Sequence, residues 1–192
     1  ILKGARPYRL QGASPTTFAL TNLVPTTGSK GAISTKGNVF AVNDVWFLAD
    51  NGVMNLRTVL NFGDLQASYA SDKISPRFEA GSANVVTLLN LDDAVSVYDS
   101  QNNRLYWCVD SDANDQNDLV LMLDLHTNGW SHWTATPCAS LWTVKRTSDG
   151  VVEVFAGGYD GNIRVLNRDV STNAIDGYAQ HLSALGQPGL SK

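Results

Sequence analysis

Cysteine is almost missing from these 192 residues: Cys108 and Cys138 are the only two. Two are too few for the disulfide framework of a small secreted domain. Both are expected as free thiols, because bonding would require their Cα atoms to come within about 7 Å, which spacing along the chain does not establish. Histidine is nearly as scarce. His126, His132 and His181 form no HExxH pair and stand beside no CxxC, so no zinc site is expected, and His126 and His132 read as surface or edge residues of a strand and its turn. Long apolar runs are absent as well. None approaches the ~20 residues that span a bilayer, and no basic-then-apolar segment opens the chain. The expectation is a protein with no membrane-spanning segment and no visible export signal, and a start at Ile1 rather than Met points to a processed or excised piece.

An excess of positive charge is also lacking. Fourteen Lys and Arg against 18 Asp and Glu leave a net charge of -4, which argues against a protein built to grip phosphates. No GxSxG elbow and no phosphate-cradling glycine loop occurs; Gly157-Gly158, ahead of Tyr159-Asp160-Gly161, reads as a bulge and a turn. The Asp box of sialidase-like enzymes is approached only by fragments such as Ser148-Asp149-Gly150, with the wrong spacing. Asp and Glu are numerous, but no pair stands out as an acid and a nucleophile.

What is present is repetition of short strands. Residues 94–134 contain Ala94 to Asp99, Arg104 to Val109, Asp118 to Asp124 and Trp130 to Thr134, joined by polar turns that include Asn128-Gly129. Four strands in sequence, about ten residues apart, are the unit of a β-propeller blade. A second set is predicted at Ala32–Lys36, Val39–Val42, Val45–Ala49 and Val53–Leu56, with turns at Gly37-Asn38, Asn43-Asp44 and Asn51-Gly52. A third runs through Ser140–Thr147, Val151–Ala156, Asn162–Leu166 and Ala174–Leu182, turning at Asp149-Gly150 and Asp160-Gly161. Residues 1–27 offer a partial unit from Tyr8–Leu10 and Phe18–Val24. The stretch 57–93 breaks the pattern, with cap-like Ser71-Asp72-Lys73 and a possible helix over Pro76–Leu91.

The predicted fold is therefore all-β: a β-propeller or part of one, with four-stranded antiparallel blades and one partly helical insertion. Residues 1–192 read as a single domain or a fragment, with units at about 1–27, 32–56, 94–134 and 140–182 and the insertion at 57–93. About three units and a partial one are fewer than the four blades of the smallest usual closed propeller. The missing strands are expected from further sequence or a partner chain, and Gly186-Gln187-Pro188-Gly189 reads as a turn toward one of them.

Two features invite a chemical reading. The loop from Asp110 to Asp118 places oxygen ligands at alternate positions, which suits calcium. Counted from Asp110, however, positions six and twelve of an EF-hand fall on Asp115 and Leu121 instead of Gly and Glu. A solvated hairpin loop accounts for the composition. The five tryptophans, Trp46, Trp107, Trp130, Trp133 and Trp142, all fall in predicted strands, and packing between sheets explains them better than ligand stacking. Alternation puts Trp107 on one face of its strand and Tyr106 and Cys108 on the other. No residue is put forward as catalytic, cofactor-binding or metal-ligating.

The strings NVFAVNDVWFLADNGVMNL, AVSVYDSQNNRLYWCVDS, NDLVLMLDLHTNGWSHWT and FAGGYDGNIRVLNRD resemble, in that order, the propeller of tail nozzle and packaged-DNA stabilisation proteins of short-tailed bacteriophages. The resemblance covers most of residues 32–192. It implies a virion structural protein without catalytic residues or cofactor, assembled in the host cytoplasm into the tail. There it would form a sixfold homo-oligomeric ring below the portal and adaptor, lining the DNA exit channel and contacting other tail proteins. Double-stranded DNA would pass without sequence-specific binding, for which a wall of low positive charge is suited. Such proteins are normally much longer, so this chain resembles an internal portion. The alternative is a carbohydrate-binding or glycan-cleaving propeller module.

Overall fold

The computed structural model describes residues 2–3, 6–22, 31–49, 52–56, 70–78, 88–112, 114–166 and 180–182. The protein is all-β, and its described residues form four antiparallel sheets in which neighbouring strands follow chain order. The first holds β1 (Leu2–Lys3), β2 (Arg6–Gln11) and β3 (Ala19–Asn22). The second holds β4 (Asn38–Ala41), β5 (Asp44–Ala49) and β6 (Gly52–Asn55). The third holds β7 (Val95–Asp99), β8 (Arg104–Val109), β9 (Leu119–Asp124) and β10 (Gly129–Trp133). The fourth holds β11 (Ser140–Lys145), β12 (Val152–Gly157), β13 (Ile163–Val165) and β14 (Gln180–Leu182). No sheet closes on itself among the described residues, and no helix there is long and apolar enough to cross a membrane.

The third sheet sets the architecture because its two middle strands are apolar on both faces. β8 reads Leu105-Tyr106-Trp107-Cys108-Val109 and β9 reads Leu119 to Leu123, and all ten residues are buried. A continuous apolar run has no side to turn to water, so something must cover each face. Odd-numbered residues Leu105, Trp107, Val109, Leu119, Leu121 and Leu123 pack with Ala41, Leu48 and Val53 of the second sheet and with Phe78 and Leu91. Even-numbered residues Tyr106, Cys108, Val120 and Met122 pack with Val154, Ala156 and Leu166 of the fourth. The third sheet is thus a middle layer. Its first strand, β7, touches β4 on one side and β11 and β12 on the other, so the first strands of three successive sheets gather together.

Three expectations need correction. Residues 32–36 are not a strand: Ser34 Oγ accepts from the Lys36 and Gly37 N–H groups at 3.1 and 2.9 Å, which folds the backbone into a tight polar turn. The second sheet therefore shows three described strands instead of four. Its first turn is also one residue early, at Val42-Asn43, where φ of 50° and 60° makes the two-residue hairpin that suits right-twisted strands. Gly157, finally, is no bulge; it pairs in regular register with Ser140 and Ile163, and the chain turns after it.

The insertion shows 3-10 turns at Asp72–Arg77 and Leu88–Asp93, while residues 79–87 of the expected helix lie outside the described residues. Near its middle the chain returns to the second sheet. Ala70 N–H donates to Val53 O at 2.9 Å, and Val53 N–H donates to buried Ser71 Oγ at 3.0 Å. Of the expected strand at 174–182 the described residues 180–182 form β14, while 174–179 and the turn at 186–189 lie outside the described residues.

Candidate functional site

The seams on either side of the third sheet bring together most of the side chains singled out above. On the seam toward the second sheet, Trp107 is fully buried and its Nε1–H donates to Gly37 O at 3.2 Å. Trp130 stacks on it with ring centroids 6.0 Å apart, and Trp130 Nε1–H reaches Ala70 O at 3.0 Å. Two indoles thus fill the apolar gap while their polar edges bond backbone of the second unit, at Gly37, and of the insertion, at Ala70. Backbone joins the same seam where Ser96 N–H donates to Lys36 O at 3.0 Å, and Ile33 N–H, donating to Leu48 O at 3.0 Å, ties the 32–36 turn to its own sheet. Ser34, buried with 1% exposure, closes the corner by donating from Oγ to Ala94 O while accepting the two N–H groups already described.

On the seam toward the fourth sheet, Tyr106 stacks on Trp133 at 5.9 Å. Burial first, and the Asp99 carboxylate next, pushes the Tyr106 phenol well above its ordinary range. The strap 134–139 crosses between these sheets. Thr136 and Cys138 N–H groups donate to Asp118 O and Asn117 O, both at 2.8 Å, and Ala139 N–H donates to Gly157 O at 2.7 Å. Arg164 of β13 is buried beneath the strap, with Nη1 on Pro137 O at 3.3 Å and both guanidinium ends on Asp160. The Arg164 hydrogen bonds, followed by those from Asn162, hold the Asp160 carboxyl well below the usual carboxylate range. Gly158 makes room for this pair: a Cβ there would lie 2.3 Å from Arg164 Nη1 and from Asp160 Oδ1.

The acidic loop joins β8 to β9. Asp110, Asp112 and Asp118 place one carboxylate oxygen each within 4.8 Å of one another, a set able to approach one cation. The loop also uses them itself. Buried Asp110 accepts the N–H groups of Asp112 at 3.0 Å and Asp115 at 2.9 Å. Asp118 accepts from Ser111 N–H at 2.9 Å and Ser111 Oγ at 2.8 Å. Asp112 takes Asn114 Nδ2 at 3.0 Å; partial desolvation, then the charges of Asp118 and Asp110, holds its carboxyl above the usual range. The trio is therefore built into the loop's own turns. Beside it, Asn117 donates from Nδ2 to Asp93 O at 3.0 Å, and its buried Oδ1 has no partner among the described residues.

The other residues weighed from sequence lie apart. His126 and His132 are exposed, one in the β9–β10 turn and one on β10, and His181 falls on β14. Asp149 accepts Val151 N–H at 3.1 Å and pairs with Arg146 at 3.2 Å, the work of a turn residue. Trp46 packs against the second-to-third seam, and Trp142 stacks on Phe155 at 5.8 Å on the fourth sheet. Cys108 and Cys138 are free and buried in one seam. Ser34 and Arg164 are not singled out by the sequence, Ser71 is read there only as part of a cap, and Asn117 only as part of the acidic loop. Each is a polar residue in a turn or strand whose importance comes from burial against a distant segment. No protein-family model matches this chain, and no curated protein is significantly similar to it.

Proposed function

We propose that the chain is part of a virion structural protein of a short-tailed phage, a set of propeller blades that in the full-length protein forms a ring around the DNA exit channel. The observation that carries this reading is the middle layer: sheets stack face to face in chain order while β4, β7 and β11 gather at one side. That is how blades radiate around an axis with the first strand innermost. The stretches that resemble tail nozzle proteins support it as well. They fall on β4–β6, β7–β8, β9–β10 and β12–β13, each on paired strands. A net charge of -4 suits a wall past which a polyanion slides. The working element in this reading is the assembled ring, with the seams keeping each blade rigid.

The test uses the full-length protein that carries this chain. Negative-stain electron microscopy should show rings with a central opening and sixfold symmetry, and mass spectrometry should find the protein in purified virions. A monomer that is absent from virions and binds or cleaves labelled glycans would overturn the proposal in favour of a carbohydrate-active module.

A further inference from the structure

We propose that Cys108 and Cys138, free thiols in this structure, are joined on oxidation by an intramolecular disulfide that fastens the third sheet to the strap leading into the fourth. The inference stands on placement and does not depend on the proposed function. Cys108 lies in the middle strands of the third sheet, opposite Val120 and Val95, with its side chain on the face turned to the fourth. Cys138 lies on the strap, where its N–H bonds the third sheet's Asn117 O and the next N–H, Ala139, bonds the fourth sheet's Gly157 O. The strap's bonds to both sheets therefore fix the residue at their junction. Both cysteines are fully buried in the same apolar cluster, where burial and then the neighbouring Cys138 side chain push the Cys108 thiol up, and Cys138 Sγ lies 3.6 Å from Ser140 O. Only two cysteines exist in the chain, so each has a single possible internal partner.

The oxidant is a low-molecular-weight disulfide. One cysteine thiolate attacks a sulfur of that reagent, forming a mixed disulfide and releasing one small thiolate. The second cysteine thiolate then attacks the protein-bound sulfur of the mixed disulfide, forming the Cys108–Cys138 bond and releasing the second small thiolate. The two released thiolates carry off the two protons as thiols; two cysteine sulfurs are oxidised and the reagent is reduced. Either cysteine can make the first attack, because the exchange starts in the unfolded chain, where neither is buried. Burial pushes the Cys108 thiol up once the seam has closed, so the exchange takes place before the sheets pack over it. The bond closes a loop of about 30 residues in the unfolded chain, which by chain entropy raises the folding equilibrium roughly 10²–10³-fold.

The chain is refolded from urea in a glutathione redox buffer, where both thiols are accessible at the outset, and then quenched with an alkylating agent. The expected product is a monomer that has lost two hydrogens, takes no alkylating label, and yields one peptide pair linking Cys108 to Cys138. Its urea midpoint should lie above that of the reduced protein and fall back on reduction. Folded protein with both cysteines alkylated, with glutathione attached to either, or with disulfide-linked dimers would overturn the proposal. Cys138→Ala keeps the core residue Cys108 in place and should abolish the midpoint difference; a midpoint that still responds to oxidation in that variant would overturn it too.

Discussion

Replacing Ser34 with alanine removes one oxygen and should loosen the junction of the second and third sheets. Three partners lose their bond: the Ala94 carbonyl, the Gly37 N–H and the Lys36 N–H. Lys36 is exposed, so its N–H can turn to water at little cost. Gly37 and Ala94 are buried, and a buried polar group stripped of its partner costs about 1–3 kcal/mol. With some local relaxation the two together amount to about 2–4 kcal/mol, a factor of roughly 30–700 in the folding equilibrium. In a protein of this size that corresponds to a thermal midpoint lower by about 5–15 °C. Urea unfolding followed by tryptophan fluorescence should show the midpoint falling with the slope unchanged, since the surface exposed on unfolding is the same. Thr35→Ala, at the exposed neighbouring position, is the control and should stay within about 0.5 kcal/mol of the parent. If Ser34→Ala behaves like that control, Ser34 does not hold the junction.

Asp160 should make stability fall in acid. Its carboxyl ionises below the ordinary value of about 3.9 when folded, so the pairing with Arg164 contributes fully above that value and is lost as pH falls through the folded one. The stability gap between the parent and Asp160→Asn should accordingly narrow below about pH 4; a gap that stays constant down to acid unfolding contradicts this. Asp110 is expected to act as a turn-holder. Asp110→Ala should cost about 1–2 kcal/mol, the net worth of two turn hydrogen bonds whose N–H groups sit on exposed residues, and added calcium should leave the parent's thermal midpoint unchanged. A calcium-dependent rise that disappears in Asp110→Ala would instead show that the acidic trio holds an ion.

Most of the strand order was legible because turn chemistry and period agreed. Asn103, Asn128, Gly150 and Gly161 all take the positive φ that ends one strand and starts the next, and each falls in or beside a turn read from sequence. The double burial of β8 and β9 was written in their unbroken apolar runs. Val42 misled, because a β-branched residue argues for strand, yet here it occupies the left-handed corner of a hairpin and is exposed. Residues 32–36 misled for another reason: what decides their path is Ser34 meeting Ala94, sixty residues away, and no local pattern carries a contact of that range. The same holds for Ser71 under Val53 and for Arg164 under the strap. The acidic loop was read as a turn from composition alone, and the hydrogen bonds within it supply the reason.

A layer with no wet face cannot be separated from its neighbours. Were the chain cut at the strap, Tyr106, Val120 and Met122 would meet water on one fragment and Val154 and Ala156 on the other. Neither exposed face would have another partner among the described residues, so the second, third and fourth sheets should open as one cooperative unit and not peel away in turn. The slowest amide protons to exchange would then be those of β8 and β9, released only when all three layers part. Hairpin ends remote from the seams, such as Asp149-Gly150, are where added residues would leave that unit intact.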